Sequence, residues 1–365
     1  MNEPLLTEAD FASVMEALRS GWISGAGPHI EAFESAWATY CGRRHGVAVA
    51  NGTVALQVAV DLLGLQPGDE VIMPTFTIIS CVLPVVQAGA MAVLVDADPQ
   101  TWTMDVSQIE ARITPRTRAI MAVHIYGHPV DMDPLLQVAE HHNIAVIEDA
   151  AEAHGAEYRG RRAGSFGQSS TFSFYANKLV TTGEGGMLLV DDDDLADRAR
   201  RERNLGFQPG RRFLHTQLGF NYRLTNMQAA LGMTQVERMA DIVERKRRMG
   251  QAYTDRLSEV PGLELQVQQP WARSVYWMYG LVLREETGLT ADAFAQRLKS
   301  AGVETRPFFL GMHEQPVLLE RGWFAGETYP VAERIARQGL YLPSGLSLTE
   351  AEIDRVCAAV RETLV

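Results

Sequence analysis

The chain has few cysteines, no excess of positive charge and no long apolar run, and each absence excludes a class of protein. Its 365 residues include three cysteines, too few for a disulfide framework or a cysteine-rich metal site. The net charge of −12 disfavours nucleic acid, because binding a phosphate backbone requires a basic surface. No apolar run approaches the ~18 residues of a membrane-spanning helix, and the acidic start, MNEPLLTEAD, lacks the apolar region of a signal peptide. We therefore expect a cytoplasmic protein without nucleic-acid or membrane partners.

Length and pattern indicate an α/β protein with two domains. A chain of 365 residues exceeds what one hydrophobic core usually serves. From about residue 46, short β-branched runs such as EVIMP, AVLVD, IAVIED and TFSF alternate with helical patterns, which predicts a mostly parallel central sheet with helices on both faces. After a helical stretch near residues 226–250 the pattern changes to YWMYGLVLRE, a helix near 290–301 and ETRPFFLG. We expect a large domain over 1–240 and a smaller α/β domain over 241–365.

Five informative residues lie just after or at the ends of predicted strands. They are Asn51, Pro74, His124, Asp149 and Lys178. Parallel sheets of this kind bind ligands outside the carboxyl ends of their strands. The sequence therefore predicts that these residues collect at one edge of the sheet and form a site there.

Lys178 is the most informative of these residues, because it lies alone between the apolar strand TFSF and the glycine-rich turn TTGEGG. Removing water from an ammonium group lowers its pKa and makes the neutral amine available to react with an aldehyde, of which pyridoxal phosphate is the usual one. A lysine that extends from a strand end into solvent would give the same pattern. This segment alone leaves both interpretations open.

Two further features favour a phosphate-bearing coenzyme over a nicotinamide. The first strand is not followed by GxGxxG; instead Asn51, Gly52 and Thr53 form a turn that opens a helix and presents free backbone amides, although a plain capped turn has the same letters. Asp149 closes an apolar strand, where a carboxylate needs a partner such as a protonated pyridine nitrogen. A helix-capping aspartate remains the alternative there.

Charge runs and histidines have simpler explanations. Residues 191–194, four aspartates before a helical pattern, indicate a solvated turn at a helix start. Residues 245–248, with the sequence RKRR, indicate an exposed helical face. His124 and His128 would need a third ligand to hold a metal, and none is found by spacing. We therefore predict no metal site.

The order of these motifs resembles a known family over nearly the whole chain. The matching segments are SGWISGAGPHIEAFE, NGTVALQVA, GDEVIMPTFT, HIYGHPVDMDP, VIEDAAEAHGAEYRG, TFSFYANK, TTGEGGM, GFNYRLTNMQAALG, YWMY, ETRPFF and LPSG. They resemble the sugar aminotransferases of the DegT/DnrJ/EryC1/StrS group, within the aspartate-aminotransferase-like, fold-type I superfamily of pyridoxal phosphate enzymes. The resemblance implies that fold, with a mostly parallel central sheet in the large domain.

The resemblance also assigns roles to individual residues. It implies that Lys178 binds pyridoxal 5'-phosphate covalently, that Asp149 pairs with the pyridine nitrogen, and that Glu152, often Gln in relatives, lies near the ring and its phenolic oxygen. The positions that match phosphate-binding residues are Gly52, Thr53 and Ser173. Asn221 matches a residue that reaches the phosphate of the neighbouring subunit, which implies a homodimer with shared sites.

Two positions depart from the family pattern. Relatives usually carry an aromatic residue that stacks on the coenzyme where this chain has Ile78, and an apolar side chain can also cover a ring face. Phe76 has the same strand parity and is a second candidate for that contact. Ala176 replaces a glycine commonly found beside the lysine, which would be costly only at positive φ.

The resemblance implies a two-stage transfer of an amino group from an amino acid, such as L-glutamate, to a keto sugar. A lysine at position 178 favours this reaction over the dehydration performed by a sister branch, which has histidine there. We rank GDP-4-keto-6-deoxymannose first among nucleotide-sugar substrates. A dTDP- or UDP-linked keto sugar, an inosose, a keto-octulosonate, and a coenzyme-binding regulator without turnover remain alternatives. The predicted substrate-binding residues, for which packing and surface pairing are alternative roles, are Trp22, Arg306, Phe308 and His313.

Overall fold

The computed structural model describes residues 3–208 and 210–364 and has the predicted α/β architecture. In chain order the helices are α1 (Glu8–Ser20), α2 (Pro28–Cys41), α3 (Gly52–Leu63), α4 (Leu83–Gln87), α5 (Met132–His141), α6 (Asp193–Glu202), α7 (Asn226–Val236), α8 (Met239–Leu257), α9 (Ala291–Ser300), α10 (Pro316–Leu319), α11 (Pro330–Gln338) and α12 (Glu350–Leu364). The strands are β1 (His45–Val49), β2 (Glu70–Pro74), β3 (Met91–Val95), β4 (Thr117–Val123), β5 (Ala145–Asp149), β6 (Glu157–Tyr158), β7 (Arg161–Arg162), β8 (Ser169–Ser173), β9 (Gly186–Val190), β10 (Phe207–Gln208), β11 (Arg211–His215), β12 (Leu263–Leu265), β13 (Ala272–Arg273), β14 (Tyr279–Leu283), β15 (Arg306–Pro307) and β16 (Gly339–Leu342).

The central sheet has the strand order β1-β9-β8-β5-β4-β2-β3. The strands from β8 to β3 pair in parallel, whereas β9 is antiparallel to both β1 and β8. Because two antiparallel pairings restore the direction, β1 runs the same way as the parallel strands. The carboxyl ends of β1, β2, β4, β5 and β8 therefore meet at one edge, where sheets of this type bind ligands.

The strands are apolar because helices cover both faces of the sheet. All five residues of β2 are buried, and so are all five of β9, which matches the continuous apolar composition expected of a fully covered sheet. Helix α3 follows β1 directly. Its N-cap is Asn51, whose side chain accepts a hydrogen bond from the Val54 amide at 2.9 Å, and it ends at Gly64 in the left-handed conformation.

An aromatic cluster fixes helix α2 against β8. Trp37 meets Phe172 and Phe174 edge to face, at centroid distances of 5.0 and 5.1 Å. Such pairs contribute about 0.5–1.5 kcal/mol each beyond the area that they bury. Since side chains alternate along a strand, packing Phe172 and Phe174 on one face directs Ser173 to the opposite one. The aromatic core thereby orients a residue of the site.

A second sheet, with the order β12-β14-β16-β15, is antiparallel throughout and packs against α9 and α11, while α8 and α12 contribute to the same apolar core. It has its own buried apolar cluster, which includes Tyr253, Leu257, Leu281, Phe294 and Leu298. Helix α8 begins at Met239, close to the division that we propose near residue 240.

Three predicted elements differ in extent from the structure. The helical stretch near 226–250 is two helices, α7 and α8. The connection after β3 contains only 3₁₀ turns, at Val106–Gln108 and Glu110–Arg112, in place of a crossover helix. The strand predicted from YWMYGLVLRE is confined to β14. Tyr276 has φ of 47°, which lies outside the β region, so it interrupts the extended conformation of this segment.

The two charge runs have opposite outcomes. The aspartates at 191–194 open α6 as predicted, with Asp192 as the N-cap that accepts a hydrogen bond from the Leu195 amide at 2.8 Å. The prediction of a fully exposed face at 245–248 is wrong at Lys246. Its side chain is buried, and its Nζ donates to the carbonyl oxygen of Ser344.

Candidate active site

A cavity of about 550 Å³ opens at the carboxyl edge of the central sheet. The predicted site residues that line it are Gly52, Thr53, Ile78, Asp149, Glu152, Ser173 and Lys178. They come from the ends of β1, β2, β5 and β8 and the turns that follow. The parallel arrangement of those strands is therefore the reason that residues far apart in sequence share one cavity.

Lys178 projects into this cavity with 9% of its side chain exposed. Its Nζ lies 3.9 Å from Glu152 Oε1 and 3.6 Å from the centroid of the Trp277 ring. Burial lowers the pKa of Lys178, and the carboxylates of Glu152 and Asp149 oppose that effect. The neutral amine is consequently more accessible at physiological pH than that of an exposed lysine, as attack on an aldehyde requires.

Asp149 ends β5 with its carboxyl group inside the protein. Oδ1 accepts a hydrogen bond from the Ala151 amide at 3.0 Å, and Oδ2 accepts one from Cys81 Sγ at 3.3 Å. Burial raises the pKa of Asp149, and these two hydrogen bonds oppose the rise. A buried carboxyl held in this way is stabilised as an anion when a cation, such as a protonated ring nitrogen, approaches it.

Glu152 is a second buried carboxyl group in the cavity lining. Its Oε2 accepts a hydrogen bond from the Tyr126 amide at 2.7 Å, which fixes the side chain. Burial raises the pKa of Glu152 to about 7, against the opposing effect of Lys178. Glu152 can therefore hold or release a proton near neutral pH, which the glutamine found in many relatives cannot do.

The start of α3 forms a close corner with β8 and β9. A Cβ atom added to Gly52 would lie 2.6 Å from Ser173 Cβ, and one added to Gly186 would lie 2.3 Å from the Asn51 carbonyl oxygen. Only glycine fits at either position. The corner leaves the first amides of a twelve-residue helix facing the cavity, beside the hydroxyl groups of Thr53 and Ser173. Amides at a helix start and neighbouring hydroxyls bind phosphate well.

These residues fit pyridoxal 5'-phosphate on the chemistry of the donors present. The cavity contains a phosphate corner with no room for a Cβ, a buried amine and a buried carboxyl group that can face a ring nitrogen. No single one of these features would be specific. Their convergence in one cavity is what the coenzyme requires.

The two departures from the family pattern have different consequences. Ile78 lies in the cavity with 43% of its surface exposed, so an aliphatic side chain occupies the position of the usual aromatic one. Phe76 is buried against Tyr126 and Phe309 instead of lining the cavity, so it does not replace that contact. Ala176 does not have positive φ, and the missing glycine therefore causes no backbone strain.

The remaining predicted residues lie outside the cavity lining. Trp22, Asn221 and Arg306 are exposed. Arg306 pairs with Tyr341 in the β15–β16 ladder, and Tyr341 itself lines the cavity. Asn221 lies in the loop before α7. For each of these three residues the role given above stays a prediction.

Phe308 and His313 are buried within the subunit. The Phe308 ring packs against Trp102 at 5.2 Å, and His313 Nδ1 lies 2.7 Å from the Thr75 hydroxyl. His313 Nε2 is 3.2 Å from a carboxylate oxygen of Glu333. These contacts are typical of packing within the protein, which was the alternative role for both residues. Their substrate-binding roles remain predictions.

Aromatic side chains from the second half of the chain form the wall that the sequence did not identify. Trp277, Phe309 and Tyr341 line the cavity together with Tyr175 and Glu184. YWMY and ETRPFF were recognised as family segments, but nothing in their spacing showed which aromatic residue faces the site.

The histidines of HIYGH have protein partners. His124 Nε2 lies 2.7 Å from Glu148 Oε1, and its Nδ1 accepts a hydrogen bond from the Val130 amide, so Nε2 carries the proton. His128 contacts the Pro129 carbonyl oxygen and the Gln269 amide. Within residues 3–208 and 210–364 no three His, Cys, Asp or Glu side chains are placed to hold a metal ion. In the same described part of the chain, no helix combines the length and apolar character needed to cross a membrane.

Comparison with known proteins gives matches over nearly the whole chain. The DegT/DnrJ/EryC1/StrS aminotransferase family matches residues 4–361. GDP-perosamine synthase of Caulobacter vibrioides is 46% identical over 96% of this chain and 94% of its own length, and that of Escherichia coli O157:H7 is 38% identical over 99% and 97%. The crystal structure of S. venezuelae DesV superposes with a TM-score of 0.90 at 37% identity, covering 97% of this chain and 94% of DesV.

Proposed function

The chain belongs to the DegT/DnrJ/EryC1/StrS aminotransferase family, and from that membership we propose that it converts GDP-4-keto-6-deoxymannose to GDP-perosamine with L-glutamate as amino donor. It is a pyridoxal phosphate-dependent sugar aminotransferase. The observation that supports the finer proposal is the 46% identity to the Caulobacter vibrioides GDP-perosamine synthase over 96% of the chain. The amino group would be placed at the 4-position of the sugar.

The coenzyme would be held by three groups of residues. The amides that open α3 and the hydroxyls of Thr53 and Ser173 would bind its phosphate, Asp149 would face its ring nitrogen, and Lys178 would bind it covalently. When bound, the coenzyme would supply an aldehyde that accepts the amino group and, in its amine form, passes it on, and a ring that accepts electrons from the substrate carbon.

The side chains of the protein would then set the charge of the coenzyme ring and move protons at the reacting carbon. Asp149, as an anion, keeps the ring nitrogen protonated. Lys178, once free, would accept the proton lost by the substrate carbon and give it up to the carbon that receives the amino group, a role that a pKa below that of an exposed lysine favours. Glu152, whose pKa burial raises to about 7, can hold or release a proton beside it. The aromatic wall of Trp277, Phe309 and Tyr341 limits the access of water to these groups.

Local cations would bind the nucleotide diphosphate, because the protein as a whole carries a net charge of −12. Arg306 lies beside the aromatic wall, since its backbone pairs with that of Tyr341 on the neighbouring strand. Its exposed guanidinium could form paired hydrogen bonds with phosphate oxygens. This placement supports a substrate with a diphosphate over a free inosose or keto-octulosonate.

Nucleotide preference tests the proposal directly. We expect kcat/KM for the GDP-linked 4-keto-6-deoxy sugar to exceed the values for the dTDP- and UDP-linked sugars by at least about 100-fold, a range typical for a site that pairs with polar groups of its substrate. Steady-state kinetics with glutamate and mass spectrometry of the products would measure this preference. A higher value for a dTDP or UDP sugar, or for a ketone without a nucleotide, would contradict the GDP assignment and leave the transaminase chemistry in place.

The regulatory alternative is separated by a spectrum. An enzyme converts the bound aldehyde form to the amine form when glutamate is added, whereas a regulator without turnover binds the coenzyme and shows no conversion. An absorbance spectrum of the bound coenzyme before and after the addition of glutamate, without any sugar, therefore distinguishes an enzyme from a regulator.

We also propose that the active unit is a homodimer. The β10–β11 hairpin and the loop after it expose large apolar side chains, among them Phe213 with 83% and Leu218 with 91% of the surface accessible. Contiguous exposed apolar residues of this size favour a protein partner. Asn221 follows this segment directly and lies outside the cavity of its own subunit, as a residue serving the neighbouring site would.

Mixing two impaired variants at a low coenzyme concentration tests the shared site. We expect Asn221→Ala to weaken coenzyme binding roughly tenfold or more, since one donor to a charged phosphate contributes about 1.5–3 kcal/mol. Mixed dimers of Lys178→Ala and Asn221→Ala should regain activity, because one of the two sites then has both native residues. Activity that stays at the sum of the two separate variants after verified subunit exchange, or a fully active Asn221→Ala enzyme, would contradict the shared site.

A further inference from the structure

The Trp277 ring lies against the amine of Lys178 in the cavity. The indole is buried, its Nε1 donates a hydrogen bond to the carbonyl oxygen of Asn177 at 2.9 Å, and the face of its ring lies 3.6 Å from Lys178 Nζ. The nearest carboxylate oxygen that pairs with this amine, Glu152 Oε1, is 3.9 Å away, which is beyond hydrogen-bond distance. The ring face is thus the closest partner of the amine.

Two tight turns hold the indole in this position. Tyr126 and Tyr276 both have left-handed backbone conformations, with φ of 53° and 47°. The turns contact each other closely, because a Cβ on Gly127 would lie 2.8 Å from the Trp277 amide nitrogen, and the Val275 amide donates to the Gly127 carbonyl oxygen at 3.1 Å. Conformations that cost energy persist only where the surrounding structure fixes them. The position of Trp277 is therefore built into the fold.

We propose that Trp277 is a positioning residue that holds the ammonium group of Lys178 whenever the lysine is not bonded to the coenzyme. The inference rests on the proposed covalent role of Lys178. The aldehyde form of the coenzyme joins the lysine amine with loss of one water molecule, whereas the amine form leaves the lysine free. In the free state the ring face attracts the ammonium group, and that attraction is stronger in a desolvated site than in water.

The position of Trp277 also accounts for the control of the freed lysine. Burial disfavours the ammonium form, while the ring face and the Glu152 carboxylate favour it. Balanced in this way, Lys178 can keep a proton beside the reacting carbon and give it up again. The hydrogen bond to Asn177 prevents the adjoining backbone from carrying the amine away from the cavity.

The test compares the two coenzyme forms in the same variant. Without the ring, the free lysine loses stabilisation in the unliganded protein and in the complex with the amine form, but not in the complex with the aldehyde form. In Trp277→Leu we therefore expect the ratio of dissociation constants, pyridoxal phosphate to pyridoxamine phosphate, to fall about tenfold relative to the wild type. Trp277→Phe retains a ring face, so its ratio should fall by less, about threefold.

The ratio separates positioning from general packing. Phe309→Leu is the matched control: it removes a cavity ring that packs against Tyr126, and we expect it to change both dissociation constants in parallel. If the ratio of the two dissociation constants stays constant or rises in both Trp277 variants, the inference is overturned, even if both coenzyme forms bind more weakly. Binding of pyridoxamine phosphate shows in the same titration that each variant is folded.

A failure of the inference can be distinguished from a failure of the proposed function. Borohydride reduction followed by peptide mapping shows which lysine carries the coenzyme. A label on Lys178 with an unchanged ratio in the Trp277 variants refutes only the role of Trp277. A label on another lysine refutes the covalent role of Lys178 and, with it, this inference.

Discussion

Lys178→Ala is expected to abolish turnover, with a loss of at least about four orders of magnitude in kcat. Two contributions are lost together, because the same amine bonds to the coenzyme and moves the proton at the substrate carbon, and proton transfer alone accounts for about 10²–10⁴-fold. Phosphate binding does not involve this side chain, so the variant should still bind pyridoxamine phosphate. Single-turnover kinetics and an equilibrium titration with the amine form measure the two properties separately.

The small number of lysines makes the assignment unusually clear. The chain contains three, Lys178, Lys246 and Lys299. Lys246 is buried in α8 and bonded to the Ser344 carbonyl, and Lys299 is exposed on α9. Borohydride reduction should place the pyridoxyl group on Lys178 alone, and Lys299→Ala, the matched control, should keep full activity. A label on Lys246 or Lys299, or substantial turnover by Lys178→Ala, would contradict the assignment.

Asp149→Asn should retain measurable coenzyme binding but slow the half-reaction with glutamate by roughly three orders of magnitude. The amide oxygen can accept the hydrogen bond that Ala151 now donates and the amide NH2 can donate to Cys81 Sγ, but the side chain carries no charge to keep the ring nitrogen protonated. Removing one charge-stabilising group from a buried site commonly costs about 10²–10³-fold in rate. Stopped-flow absorbance after mixing with glutamate measures this step without the sugar.

Two comparisons make the Asp149 experiment specific. Asp193→Asn removes an exposed carboxylate at the start of α6 and should leave the rate of the half-reaction unchanged. The coenzyme spectrum of Asp149→Asn should show whether the ring site is occupied. A wild-type rate with an occupied site would refute the role of Asp149.

The centre of the site could be predicted from the sequence because strand ends determine it. Alternation of strands and helices implied parallel strands, and parallel strands bring their carboxyl ends to one edge. Asp149 is the last residue of β5, and Gly52 and Lys178 follow β1 and β8 after short turns, so their convergence followed from the order of elements. The roles of Glu152 and Asn221 came only from the family resemblance.

The aromatic wall could not be predicted because it depends on short and irregular segments. Phe308 was expected to face the substrate, yet Phe309 lines the cavity and Phe308 packs against Trp102. A shift of one residue in an extended segment moves a side chain to the other face, and β15 contains only Arg306 and Pro307 to set the register. Trp277 depends on the left-handed Tyr276, which no periodicity reveals.

Lys246 illustrates a signal that was present in the sequence and was outweighed by its charge. The buried residues of α8 include Met239, Ile242, Val243, Met249 and Tyr253. Position 246 continues their spacing of three and four residues, so the helical period places it on the apolar stripe. If the helical period had been given more weight than the run of basic residues, the sequence would have predicted that Lys246 is buried.

The corner between Gly52, Ser173 and Gly186 also limits when the protein can acquire its coenzyme during synthesis. Gly186 leaves the ribosome roughly 130 residues after Gly52, an interval on the order of ten seconds at about 5–20 residues per second. Until β9 inserts between β1 and β8, the start of α3 has neither the Ser173 hydroxyl beside it nor the glycine backbone that shapes its side. A nascent chain that ends before β9 thus offers no complete phosphate site, so binding of the coenzyme phosphate at this corner follows the insertion of β9.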